Sequence, residues 1–301
     1  MNDSMRWTGW FGFAVLCFLA ATSWIIPQTA GALPPLEERG LLFGVVGVVA
    51  LLFSLRRGWR REEGASYLRV AGAGVGFFGV PGVVAEFAGR SVPAITRSAL
   101  FALAPVVVVI AVAAGDMVVG EERGARKFLV PALIGAGGLL LLLPVEISNS
   151  LRGRVMMGTV GAAVVLAGVS SVWLYQLLRE IRLANAIALV GFANALFFLV
   201  CAALRDGIVW PWTDVISVVS VSSFVDVAEV LLIVWLLRNM SPIRFSSRYL
   251  VIPLVTVLES YVVERPEVTA RMAGGTILLA AGAGMLLFLR AREEETVLSL
   301  R

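Results

Sequence analysis

The chain has no histidine, two cysteines, a single lysine and few charges of either sign. Without histidine there is no Ser-His-Asp or Cys-His catalysis, no imidazole metal ligand and no imidazole pH switch. Cys17 and Cys201 lie in separate apolar runs without CxxC spacing, so neither a disulfide framework nor a thiolate metal site is indicated. Both are expected to pack as small apolar residues. The 25 basic residues are arginines apart from Lys127. They raise the pI to 9.6, but they are scattered between apolar runs, as in the cytoplasmic loops of membrane proteins. Nucleic acid is therefore not an expected partner. No phosphate-binding Walker lysine is present, which removes an ATP-driven pump. Gly72-Ala73-Gly74-Val75-Gly76 sits inside an apolar run with no preceding strand, so it is not a dinucleotide fingerprint.

Charged residues make up 15% of the 301 and hydrophobic ones 59%, against roughly 25% and 45–50% in soluble domains. A soluble fold has too little interior to hide that much apolar surface. An all-α integral membrane protein is expected. A spanning helix needs about 20 apolar residues, and ten stretches qualify: 7–28, 40–55, 67–89, 92–114, 128–147, 155–177, 184–204, 215–237, 249–263 and 268–290. A signal peptide is the competing reading of residues 1–32, with Arg6 as its basic region and Ala30-Gly31-Ala32 as its cleavage site. The run is long for that purpose, and a matching segment recurs later. Seventeen of the 25 basic residues fall on one side if both termini are cytoplasmic, and eight on the other. That bias favours cytoplasmic termini and an even number of spans.

The chain also repeats itself. Pro105 and Pro253 open apolar runs 148 residues apart, and Trp24 and Trp173 follow small hydroxyl residues near the ends of the first and sixth runs. Gly12 and Gly161 keep nearly the same offset. Two halves, 1–149 and 150–301, each with five spans, must enter the membrane in opposite senses. Inverted repeats of this kind are a recurring transporter architecture with a substrate site near the midplane.

The segment Arg248-Tyr249-Leu250-Val251-Ile252-Pro253 has a glutamate, Glu264, 11 residues after its proline. Gly274 and Gly282 punctuate the next span. This resembles the second repeat of EamA-type proteins of the drug/metabolite transporter superfamily. In the first half Gly120-Glu121 matches the Gly-Glu step and Gly138 the later glycine, while Gly115-Asp116 offers a second register. The resemblance implies ten helices, inverted topology and outward movement of small metabolites. It also implies a cavity lined by the first, third, fourth, sixth, eighth and ninth spans.

The eighth run carries Ser217, Ser220, Ser222, Ser223, Asp226 and Glu229. A charge there costs about 2.5–3.5 kcal/mol on insertion scales, so it should face a cavity or a partner. Asp226 and Glu229 are three residues apart and share a helix face, with Ser222 one turn before. Such carboxylates suit proton coupling or the ammonium of an amine or amino acid. They equally suit a structural polar seam. Trp24 and Trp173 are either an aromatic substrate platform or interface anchors. Glu86 is expected near the interface, and Arg97 is expected to snorkel or to pair with a carboxylate. Gly40, Gly44, Gly72, Gly76 and Gly79 read as packing residues.

The expected activity is secondary export of small polar metabolites such as amino acids or amines, coupled to protons, with no cofactor, no metal and no catalytic residue. The alternative is a membrane interaction or assembly protein whose carboxylates serve packing. An intramembrane enzyme lacks support, because aspartyl chemistry needs two aspartates converging from different elements. Usage rich in Arg, Ala, Gly and Val suggests a GC-rich bacterial genome and an inner-membrane location.

Overall fold

The computed structural model describes residues 3–22, 33–56, 67–89, 91–115, 125–143, 145, 149–205, 207, 221–265 and 267–289. Among these the fold is helical throughout, without strands. A helix occupies each apolar run. The first five are α1 (Asp3–Thr22), α2 (Pro35–Arg56), α3 (Tyr67–Ala88), α4 (Ala94–Ala114) and α5 (Ala125–Leu142). The second five are α6 (Leu151–Glu180), α7 (Leu183–Arg205), α8 (Val221–Asn239), α9 (Pro242–Val263) and α10 (Ala270–Phe288). Eight are long and apolar enough to cross a membrane. The other two are α1, whose apolar part is Trp7–Thr22, and α8, which carries Asp226, Glu229 and Arg238.

Local chemistry sets several helix starts. Ser150 caps α6 by accepting from Gly153 N at 3.0 Å, and Thr269 caps α10 by accepting from Met272 N at 3.2 Å. Pro35 opens α2, where a missing N–H costs nothing. Three helices are interrupted. A π-helical turn, Val75–Gly79, lies within α3. The helical hydrogen-bond pattern breaks at Ala102 and Leu103 in α4, and again at Ser247 in α9.

The bundle turns its large apolar side chains outward. Trp7, Phe11 and Phe18 form an exposed stripe on α1, and Val45, Val48 and Leu52 form another on α2. Water would not tolerate such faces on a monomer, whereas acyl chains do. The chain is a multi-pass membrane protein.

Inside, small and polar residues let backbones approach. In the α2–α7 pair, a side chain on Gly191 would meet Gly47 Cα at 2.7 Å and Phe43 O at 3.0 Å. In the α5–α10 pair, Gly282 lies against Gly135, and a Cβ on Gly275 would meet Gly138 O at 3.0 Å. These are the glycine contacts that associate helices in lipid, where apolar burial gives little drive. Gly138 and Gly282, marked by sequence spacing, are in this seam. Gly274 is not, its nearest contact being Leu141 at 3.9 Å. The buried Ser54 hydroxyl donates to Asn185 Oδ1 and ties α2 to α7 at the end opposite Pro35.

Among the described residues two large apolar cores result, with a small third cluster of Ala88, Val92 and Val160. One gathers Phe13, Phe43, Phe198 and Leu236 from α1, α2, α7 and α8. The other gathers Val108, Leu139, Leu250 and Leu279 from α4, α5, α9 and α10. The helix α6 contributes Leu174 to the first and Val172 to the second. Around them α1 packs on α8 and α9, while α6 packs on α3 and α4.

Candidate functional site

Of the eighth-run carboxylates, Asp226 lies within electrostatic reach of the first turn of α2. That turn is acidic because a helix N-terminus favours negative charge. Glu37 and Glu38 follow Pro35, and both their backbone N–H groups donate to Pro34 O at 3.0 Å. Glu37 is buried, 2% exposed. Arg39 comes next and donates through Nη1 to Gly82 O of α3 at 3.1 Å. Its guanidinium also acts electrostatically on Asp226, and Asp226 acts on both Glu38 and Glu229. All three carboxylates are half-buried. Glu229 Oε1 is shielded from solvent with no hydrogen-bond partner among the described residues.

Asp226 of α8 is thus within electrostatic reach of Glu38 and Arg39 of α2, with Glu229 beside it one turn on, while Arg39 reaches α3 through Gly82. Asp226 lies in the second turn of the described α8, and Glu229 one turn later. At the same end of the bundle an ion pair, Arg205 to Glu86 at 3.7 Å, joins α7 to α3, and Arg205 also lies over the Phe87 ring at 5.1 Å. Arg97 pairs with no carboxylate among the described residues. It donates to Ala85 O and so satisfies a carbonyl at the end of α3.

Arg248 is a second charged centre. Its sequence neighbours make it look like a loop cation, yet it is 6% exposed. It lies over Phe245 at 4.0 Å, Tyr249 at 4.4 Å and Phe77 at 5.1 Å. It also donates to the Tyr249 hydroxyl at 2.7 Å. The π-helical turn of α3 carries Phe77 to this contact. Aromatic faces replace water around the cation, so its charge does not prevent burial within the bundle.

The other expected residues are dispersed. Trp173 is 55% exposed and continues a stripe with Leu166 and Val169 along α6. The neighbouring hydroxyls of Ser170 and Ser171 are buried, and Ser171 donates to Gly168 O at 2.7 Å. Trp24, the Ser222 side chain, Ser217, Ser220, Asp116, Gly120 and Glu121 lie outside the described residues. Glu264 ends α9 and is exposed, its N–H donating to Ser260 O at 2.8 Å.

Sequence reasoning overlooked Glu38, Arg39 and Glu259. The first two stand in a short charged stretch that reads as a loop. Glu259 offered a clear signal, a lone carboxylate inside the ninth apolar run. It lines a cavity between α1 and α9. Among the described residues, no group of three or more acidic or thiol side chains could hold a metal ion.

No family model matches the chain, and no curated protein matches it at a significant level. One solved structure, described only as "Crystal structure of protein", has a TM-score of 0.73 to it. The match covers 96% of this chain and 99% of the other, at 20% sequence identity. A likeness of that extent establishes a shared fold.

Proposed function

We propose that the protein is a secondary active transporter of the EamA type, exporting small polar metabolites such as amino acids or amines. In this reading two inverted five-helix halves, 1–149 and 150–301, rock against each other, and protons drive the cycle through the α8 carboxylates.

Helix packing supports the two halves. Exchanging each helix with the one five places away turns the α1–α8 contact into α6–α3, and α1–α9 into α6–α4. The same exchange maps α2–α7 and α5–α10, the two glycine seams, onto themselves. The breaks in α4 and α9 are also counterparts. Such symmetry is what duplication with inversion would produce.

The observation that carries the function is the electrostatic coupling of Asp226, with Glu229 beside it on α8, to Glu38 and Arg39 across those halves. A scaffold gains little from setting two carboxylates near one cation, with a third beside them, in a membrane. A carrier gains a place where a proton or a substrate ammonium offsets the excess negative charge, and where binding changes the contact between halves. Trp173, on an exposed stripe, stands outside this site.

Cells overproducing the protein, preloaded with labelled amino acids or amines, should release at least one of them faster than cells carrying an empty vector. Protonophore treatment should abolish the difference. Equal release across the whole panel would argue against export.

A further inference from the structure

Arg248 is buried, 6% exposed, and no acidic side chain among the described residues balances its charge. The groups that act on it electrostatically are the Tyr249 hydroxyl and the Cys17 thiol of α1. Phe77, Phe245 and Tyr249 bring their rings to the guanidinium, but a ring face attracts a cation without neutralising it. The N–H groups point outward in the guanidinium plane and need acceptors. Nη2 has one in the Tyr249 hydroxyl at 2.7 Å. Nη1 is shielded from solvent and has none among the described residues. The buried hydroxyls of Ser246 and Ser247 donate instead to Ile243 O and Arg244 O of their own helix. An uncompensated buried charge is costly. Ionisable residues persist inside membrane bundles where they meet a partner or line a substrate pathway.

What Arg248 lacks is an anion with oxygen acceptors, and a carboxylate matches a guanidinium edge with two of them. We propose that Arg248 holds the carboxylate of the transported solute, which makes that solute an amino acid or another organic acid rather than a simple amine. The assignment rests on the transport reading and narrows it. The position of Arg248 suits the role. Cys17 of α1 and Phe77 of α3 reach it from the first half, while Arg248 and Phe245 belong to α9 in the second. Tyr249 also stacks on Phe101 of α4, with ring centroids 6.0 Å apart. Arg248 thus stands between the halves with aromatic side chains closed around it. Movement of α3 away from α9 would withdraw Phe77 and open the guanidinium to solute. Both helices depart from regular α-helical bonding beside this contact, α3 in the π-helical turn that carries Phe77 and α9 at Ser247.

The probes are the proteinogenic amino acids, each paired with its α-amide, which lacks the carboxylate. The full chain in phosphatidylcholine nanodiscs is heated with each probe, and unfolding is followed by tryptophan fluorescence. A ligand that binds the folded state raises the midpoint with concentration. At least one amino acid should raise it saturably, and its amide should not. Arg248→Gln removes a buried charge and should still fold, while its affinity for that amino acid falls by roughly tenfold to a hundredfold. Arg248→Lys keeps the charge without the fork of N–H groups and should bind with intermediate affinity. It serves as the test if the glutamine variant does not fold. Phosphatidylglycerol added to the nanodiscs should leave the affinity unchanged. No saturable shift with any amino acid, equal shifts by acid and amide, or unaltered affinity in the Arg248 variants would overturn the proposal. Loss of amino-acid binding on adding phosphatidylglycerol would assign Arg248 to a lipid phosphate and overturn it as well. Counterflow separates this outcome from that of the transport reading. Carboxylate binding through Arg248 without counterflow would leave the site standing and remove transport, whereas counterflow of amines with no amino acid bound would do the reverse.

Discussion

Asp226→Asn should produce a protein that inserts, purifies as a single species and exports nothing. Asparagine keeps the shape of the side chain, and removing a charge from an apolar helix lowers the cost of placing it in lipid, which for aspartate is about 2.5–3.5 kcal/mol at a helix centre. Arg39 retains its hydrogen bond to Gly82 O, so it is not stranded when its electrostatic partner in α8 disappears. Thermal stability should therefore change by no more than about 1 kcal/mol, as for most substitutions that leave packing intact. What is lost is a carboxylate able to exchange a proton or hold an ammonium beside Glu38 and Glu229. Export should fall to the empty-vector level. A purely structural pair would behave in the opposite way, with altered stability and, in whatever protein folded, unaltered export. Full export by Asp226→Asn between pH 5 and pH 8 would remove the carboxylate from the mechanism.

The largest effect on stability is expected at Gly282. A Cβ there would run into the Gly135 backbone and stand 2.8 Å from Pro131 O. Those are main-chain atoms, so no side-chain rotation relieves the clash, and α5 and α10 must separate. Gly282→Val should cost roughly 3 kcal/mol, the upper part of the range for overpacking. Most of the protein should then be lost to aggregation on extraction. Gly284, two residues on and so near the opposite face of the same helix, has open space within 4 Å, so Gly284→Val provides the control and should extract normally. Comparable yields from the two variants, read by size-exclusion fluorescence of a tagged chain, would show that the α5–α10 seam is not close-packed.

Much of this architecture is legible in the sequence, because lipid imposes a length and polarity on each helix that composition alone reveals. Every apolar run contains a helix. Errors collect where charge and helix coincide. The onset of α2 at Pro35, ahead of residue 40, was hidden by Glu37, Glu38 and Arg39, which look like loop residues until α3 and α8 are placed beside them. The start of α9 at Pro242, ahead of residue 249, was hidden by Arg244 and Arg248. The charge of Arg248 becomes compatible with burial only once Phe77, from a distant part of the sequence, is folded against it from another helix. The α8 carboxylates were legible because an ionisable residue in an apolar run is expensive. The residues they meet were not, since pairing across helices leaves no mark on either segment. Glycine contacts divide the same way: Gly138 and Gly282 have a recognisable spacing, but only packing pairs them with Gly275 and Gly135.

The central claim is that this membrane bundle carries solute. Counterflow in proteoliposomes tests it most directly: purified protein is reconstituted with one unlabelled amino acid or amine inside, and the same labelled compound is added outside at low concentration. A transporter should accumulate label transiently above the protein-free level for at least one compound, without any imposed gradient of ions. A correctly folded, reconstituted protein that gives no overshoot for any amino acid or amine would contradict the claim.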